Sequence, residues 1–199
     1  MPPSELPRPL YSERLDEALG FVADQFRYRI RKGTEVPYVT HLLQVMVTVA
    51  EHGGDEDQLL AALLHDYLED IRGADRSLLA ERWGERVTEL VEALSDSAGH
   101  PRPSWEARKH AFVARIGAAS PDVKLISAAD KLHNAQSVLR DLRRVGAPVF
   151  DRFTASPTQT LWYYRAITDA LGRGWAHPLL EELRAVVTEL EQEAAQHLG

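Results

Sequence analysis

The stretch LLAALLHDYLED at residues 59–70 ends an apolar run with one imidazole and three carboxylates: His65, Asp66, Glu69 and Asp70. On a helix, residues four apart share a face, so Glu69 lies about one turn beyond His65 and Asp70 about one turn beyond Asp66. Carboxylates that continue a buried segment repel one another and lose hydration, at a cost on the order of several kcal/mol if nothing compensates them. A divalent cation removes that conflict. Imidazole with carboxylate is a mixed nitrogen and oxygen set, suited to Mn, Fe, Zn or Co more than to Mg or Ca. A His-Asp dipeptide alone says little, because surface ion pairs and helix caps use the same residues. Two further segments make the pattern specific. PYVTH ends in His41 at a helix start, and ISAADKLHNAQSVL sets Asp130 and Asn134 four apart on an otherwise apolar helix. His41, His65, Asp66 and Asp130, drawn from three helices, form an ordinary ligand set for a site in a bundle core.

Elements able to bring those segments together are helices almost throughout. Apolar residues recur at helical spacing, and no β-branched alternation bounded by hairpin turns appears, which predicts an all-α fold. Helices are expected at about 12–31, 38–51, 56–70, 77–83, 85–96, 104–118, 121–145, 157–171 and 177–196. Asp55 with Gln58 reads as a capping box, Ser120 before Pro121 as N-cap and N1, and Gly146 as a C-terminal stop. The turn-rich loop DSAGHPRPS at 96–104 is a flap or a connector.

The 199 residues suit one domain, expected over 11–199, behind a mobile tail at 1–10. The amphipathic helix at 177–196 is expected to pack on its own body, with docking on a second subunit of a homodimer as the alternative. The longest strongly apolar run, 59–64, falls far short of the roughly 18–20 residues needed to cross a bilayer, and the proline-rich start lacks a signal-peptide core. With no cysteine, disulfides and thiolate ligands are excluded, and a cytoplasmic setting is expected. A net charge of −7 disfavours nucleic acid as a partner. Positive charge is concentrated locally at Arg27, Arg29, Arg31 and Lys32, where a small anion could bind.

Four segments carry a family likeness: RKGTEVPYVTH at 31–41, AALLHDYLED at 61–70, WGERVTELVEALSD at 83–96 and ADKLHNAQSVL at 129–139. Over roughly residues 20–172 the chain resembles the HD phosphohydrolases, and among them the hydrolase domain of the RelA/SpoT proteins and the small alarmone hydrolases. The resemblance implies a helical HD bundle with the metal in its core, held by His41, His65, Asp66 and Asp130, with manganese the expected ion. It implies Glu69 and Asp70 as the catalytic acidic pair, their roles undivided, Asn134 near the nucleotide, and Arg31 with Lys32 near the base. The implied reaction removes the 3′-diphosphate of ppGpp to leave GDP and pyrophosphate. Lys131 and Arg140 are further candidates to hold phosphates, and Trp162 or Tyr163 to flank the ribose, although a helical aromatic pair is more often core. The chain departs from the family in having Ser127 where a lysine is common, in a slightly short spacing from the basic pair to His41, and in a loose match over 151–167. Those departures bear on nucleotide identity rather than on the metal. His52, His100, His110, His133, His177 and His197 lack a supporting pattern, and His133, about 100° round the helix from Asn134, reads as structural. The rival readings are another single-metal HD phosphatase acting on a nucleoside monophosphate, dNTP or NADPH, and a nucleotide-binding regulatory module without turnover.

Overall fold

The computed structural model describes residues 11–96 and 103–198. The expected tail at 1–10, His100 and most of the 96–104 loop lie outside the described residues. Among those described, the fold is all-α, with a lone bridge between Ile30 and Pro37 as its only β-type pairing.

The helices are α1 (Glu13–Gln25), α2 (Val39–Glu51), α3 (Glu56–Leu64), α4 (Tyr67–Asp70), α5 (Arg76–Trp83), α6 (Glu85–Leu94), α7 (Trp105–Gly117), α8 (Pro121–Val145), α9 (Pro157–Leu171) and α10 (Pro178–Leu198). Local chemistry sets most ends. Asp55 and Gln58 form a reciprocal capping box on α3, as do Ser156 and Gln159 on α9. Ser120 caps α8 ahead of Pro121, and Gly146 ends it at φ 71°.

Two elements differ from the sequence expectation. The first helix stops at Gln25 instead of running on to Arg31, because the next segment pairs with itself. Arg31 N–H donates to Val36 O at 2.8 Å and Tyr38 N–H to Arg29 O at 2.9 Å, closing a loop whose turn carries Gly33. Gly33 has φ 71°, and a Cβ there would meet Arg152 Cβ at 2.9 Å, so only glycine lets this loop lie against the 3-10 turn Ala147–Arg152. The second difference is a break in the expected helix at 56–70. α3 ends at Leu64, Asp66 sits at φ −95°, ψ 0°, and a new turn, α4, starts at Tyr67.

α3 and α8 make the centre. Leu60 to Leu64 are wholly buried, as a helix must be when α1, α2, α6 and α8 all pack around it. α10 lays Leu179, Leu183, Val187 and Leu190 against α8 and α9. None of the described helices is long and apolar enough to cross a membrane.

Candidate metal centre and its two cavities

The break between α3 and α4 puts His65 and Asp66 on one spot. His65 Nε2 lies 3.1 Å from Asp66 Oδ2 and 3.8 Å from Asp130 Oδ1, while His41 Nε2 lies 3.6 Å and 3.3 Å from the same two oxygens. Donor separations of this size are those of atoms about 2.1 Å from one shared centre. His65 Nδ1 bonds the Ala62 carbonyl at 2.7 Å, which orients the ring. Its Nε2 is buried with no hydrogen-bond partner, although carboxylate oxygens are close by. A buried ring nitrogen set among two carboxylates and a second imidazole, without a hydrogen-bond partner, fits a divalent cation.

Electrostatics agree. Burial pushes Asp66 and Asp130 up, but His65 holds Asp66 well below the usual range, and Lys131 and His41 do the same for Asp130. The resulting field draws positive charge inward. Burial pushes His65 down, yet Asp66 and Asp130 outweigh it and hold this imidazole up at about 9. Burial dominates at His41 and lowers it.

Around the four donors stand residues that hold them. Tyr38 donates from its hydroxyl to Asp66 Oδ2 at 2.7 Å, and its ring stacks on Phe26. Asn134 and Lys131 donate to the two oxygens of Asp130, and Arg31 donates to the Asn134 carbonyl oxygen. His133 requires a correction. Its Nδ1 lies 2.8 Å from His41 Nδ1, with the two rings stacked at 4.9 Å. Burial and the neighbouring His41 push it down to about 4, so it is a neutral acceptor well suited to fix the His41 ring. No sequence spacing marks this contact, because α2 and α8 supply one partner each.

Glu69 and Asp70, expected to extend one acidic stripe, separate. Asp70 lines a cavity of about 400 Å³ with Arg31, Lys32, Tyr38, Asn134 and Arg152. Glu69 lines a second cavity of about 350 Å³ with Lys32, Arg108, Lys109, Lys131 and Tyr163. Asn134 and Tyr164 belong to both walls, and Asn134 ties both to Asp130. Burial, the carboxyl of Asp96 and the charge on Asp66 push Glu69 up to about 7, and burial with the Asp66 charge raises Asp70 as well. Asp96, held down at about 2, is clamped by Arg108 and Lys109.

Of the other expected contacts, Arg140 is exposed and lines neither cavity. Trp162 packs on Trp105 and His110, as core-side aromatics do, and also lines neither. Sequence reasoning missed Tyr38, Asp96, Arg108, Lys109, Arg152 and Tyr164. The RK pair at 108–109 was the one legible signal.

An HD-domain profile matches residues 18–159. The human protein named guanosine-3′,5′-bis(diphosphate) 3′-pyrophosphohydrolase MESH1 is 32% identical over 190 residues, covering 93% of this chain and 92% of that one. An Aquifex aeolicus protein named guanosine-3′,5′-bis(diphosphate) 3′-pyrophosphohydrolase is 33% identical over 138 residues, and the match spans 20% of its greater length. A solved structure described as a metazoan ortholog of SpoT that hydrolyses ppGpp superposes with a TM-score of 0.73 at 26% identity, over 91% of this chain and 97% of that one.

Proposed function

The chain belongs to the HD-domain family, and from that membership we propose that it is a metal-dependent hydrolase of ppGpp, releasing pyrophosphate and leaving GDP. The observation that carries the proposal is the unpartnered Nε2 of His65, set among three other donor side chains, of which Asp130 is bonded by Asn134 from the shared wall of two cation-lined cavities.

His41, His65, Asp66 and Asp130 would hold the ion, with manganese the preferred choice among Mn, Fe, Zn and Co. When bound, such an ion supplies Lewis-acid activation of water and neutralises charge on a phosphate. The nucleoside with its 5′-diphosphate lies in the larger cavity, between Arg31, Lys32 and Arg152. Water attacks the phosphorus next to the ribose 3′-oxygen, and the P–O3′ bond breaks. Glu69, with its affinity for a proton near neutrality, takes the proton of that water. Asp70, on the nucleoside side and raised by burial, returns a proton to the departing 3′-oxygen. The separation of the two acids into different cavities is what supports this division of roles. Tyr38 and His133 keep Asp66 and His41 in place. A cytoplasmic setting is part of the proposal.

The test is incubation with Mn²⁺ and a panel of ppGpp, ppApp, NADPH, dNTPs and deoxynucleoside monophosphates. Release of pyrophosphate from ppGpp in preference to the rest is the expected result. Turnover of another panel member alone would make this a different HD phosphatase, and tight ppGpp binding without turnover would make it a regulatory module.

A further inference from the structure

We infer that Arg152, held in place by Asp141, reads the purine ring at the end of the larger cavity remote from His65 and Asp66, and selects guanine over adenine. For the orientation of the ligand it rests on the ppGpp reading. Neither residue belongs to the four segments that carry the family likeness.

Position along α8 says which end of the ligand Arg152 meets. Asp130, Asn134, Ser137 with Val138, and Asp141 follow one another at three- and four-residue steps, so they run along one face of that helix. Asp130 belongs to the candidate metal centre, and Asn134, Ser137 and Val138 line the larger cavity. Asp141 lies about 16 Å along the axis from Asp130. A nucleotide whose 3′ end reacts at the metal therefore runs its remainder toward Asp141.

Asp141 does not line that cavity, but it fixes a residue that does. Its Oδ2 accepts from Arg152 Nη1 at 2.9 Å, the two side chains being 11% and 13% exposed. Arg152 Nε donates to the Val149 carbonyl at 3.0 Å. The stem lies against Gly33, where a Cβ would meet Arg152 Cδ at 3.1 Å. The guanidinium is thus held on three sides, and its Nη2 has no hydrogen-bond partner among the described residues. A donor fork fixed in this way needs no reordering to meet an acceptor.

Charge decides which part of the nucleotide meets it. Asp141 cancels the charge of Arg152, and only Arg144, with its side chain 71% exposed, adds to the pair from solvent. Arg29, Arg31 and Lys32 line the same cavity, and among the described residues none of them is bridged to a carboxylate: Arg29 bonds a backbone oxygen and Arg31 an amide. They hold the free positive charge that a 5′-diphosphate needs, whereas a compensated guanidinium suits a neutral acceptor. The cavity wall also carries the apolar Ile30, Val138 and Phe153, with the Arg152 guanidinium carbon 5.9 Å from the centre of the Phe153 ring. A flat heterocycle fits such surfaces. Guanine offers a guanidinium two acceptors, O6 and N7, while adenine puts its N6 amino donor where O6 would be, and donor faces donor.

The experiment is calorimetric titration of the metal-free full chain with GDP and with ADP, for wild type, Arg152→Met, Asp141→Asn and the double variant. Arg152→Met leaves Asp141 without its partner, so the double variant, which removes that charge as well, guards against misfolding, and Tm is recorded for all four. Wild type should bind GDP at least about tenfold tighter than ADP. Arg152→Met should weaken GDP about tenfold or more without weakening ADP, and Asp141→Asn should do the same several-fold. The double variant should discriminate no less than Arg152→Met, because Asp141 acts only through Arg152. With Mn²⁺ present, the preference for ppGpp over ppApp in kcat/KM should fall in parallel. Equal affinity of wild type for the two nucleotides, an equal loss of both in Arg152→Met, which marks a phosphate contact, or an additive double variant would each overturn the assignment. The two readings fail separately. GDP selection that is lost with Arg152, in a chain that turns over no ppGpp, would keep the guanine contact and end the hydrolase reading. Brisk ppGpp turnover with an unchanged purine preference in Arg152→Met would do the reverse.

Discussion

At the residue scale, the acids and imidazoles differ in what burial does to them. Glu69, pushed up to about 7 by burial and by its partner Asp96, is poised as a base near neutral pH. The positive charge of a bound ion works against burial, so kcat/KM should rise with pH through a limb centred at or below pH 7, as Glu69 gives up its proton. Glu69→Gln should keep full metal content, lose that limb and cut kcat by about 10²- to 10⁴-fold. A pH profile with parallel metal analysis reads both effects, and a fully active variant would remove Glu69 from its role. His133 makes a different prediction. With its Nδ1 2.8 Å from His41 Nδ1, it fixes which nitrogen of His41 faces the carboxylates. His133→Phe keeps a stacking ring without an acceptor and should weaken Mn²⁺ binding by about 10- to 100-fold, measured by titration of the metal-free protein, with His133→Asn recovering part of the loss.

At the element scale, two interruptions of helix do the positioning. The break after α3 turns His65 and Asp66 toward the same point and then sends Glu69 and Asp70 to different walls. The loop after α1 carries Arg31 to Asn134, and Gly33 is what allows the loop to lie on Arg152. Gly33→Ala meets two obstacles, a φ of 71° and a Cβ 2.9 Å from that of Arg152. It should destabilise the protein by about 1–2 kcal/mol from the backbone alone. Displacing Arg31 should also raise KM for ppGpp several-fold, with metal content unchanged. Urea denaturation and steady-state kinetics separate the two effects, and an unchanged KM would mean that the loop does not hold substrate.

At the scale of the whole molecule, the metal centre and the stability of the bundle are linked, because α2, α3 and α8 meet around buried charge. In the chelated protein, His65 is raised to about 9 and Glu69 to about 7, so the native state holds more protons than the unfolded chain between the ordinary values of these groups and their raised ones. Stability must therefore fall as pH rises, through Glu69 from about 4.5 to 7 and through His65 from about 6.5 to 9. The depressed acids Asp66, Asp96 and Asp130 act only below their ordinary range, outside this window. The lowered imidazoles of His41 and His133 oppose this trend below their ordinary value of about 6.5, so Tm of the chelated protein should decline between pH 7 and 9. Mn²⁺ at about 100 times its Kd should add about 2.7 kcal/mol, an increment that Asp66→Ala abolishes. Scanning calorimetry across that pH range, with and without metal, checks both, and a Tm that rises with pH in chelator would refute the charge assignment. The sequence by itself determined the helical class and the caps at Asp55, Ser120 and Gly146, and it marked the four side chains and the acidic pair proposed for the site. Periodicity, capping and ligand chemistry all operate over a few residues, or through side chains whose types admit few other uses. Only the tertiary structure decided that Glu69 and Asp70 part, that His133 supports His41 while Trp162 packs away from both cavities, and that Arg108, Lys109, Thr160 and Tyr163 wall one chamber. Those facts depend on which faces of α2, α4, α7, α8 and α9 meet, and contacts between elements far apart in the chain leave no local periodicity to read.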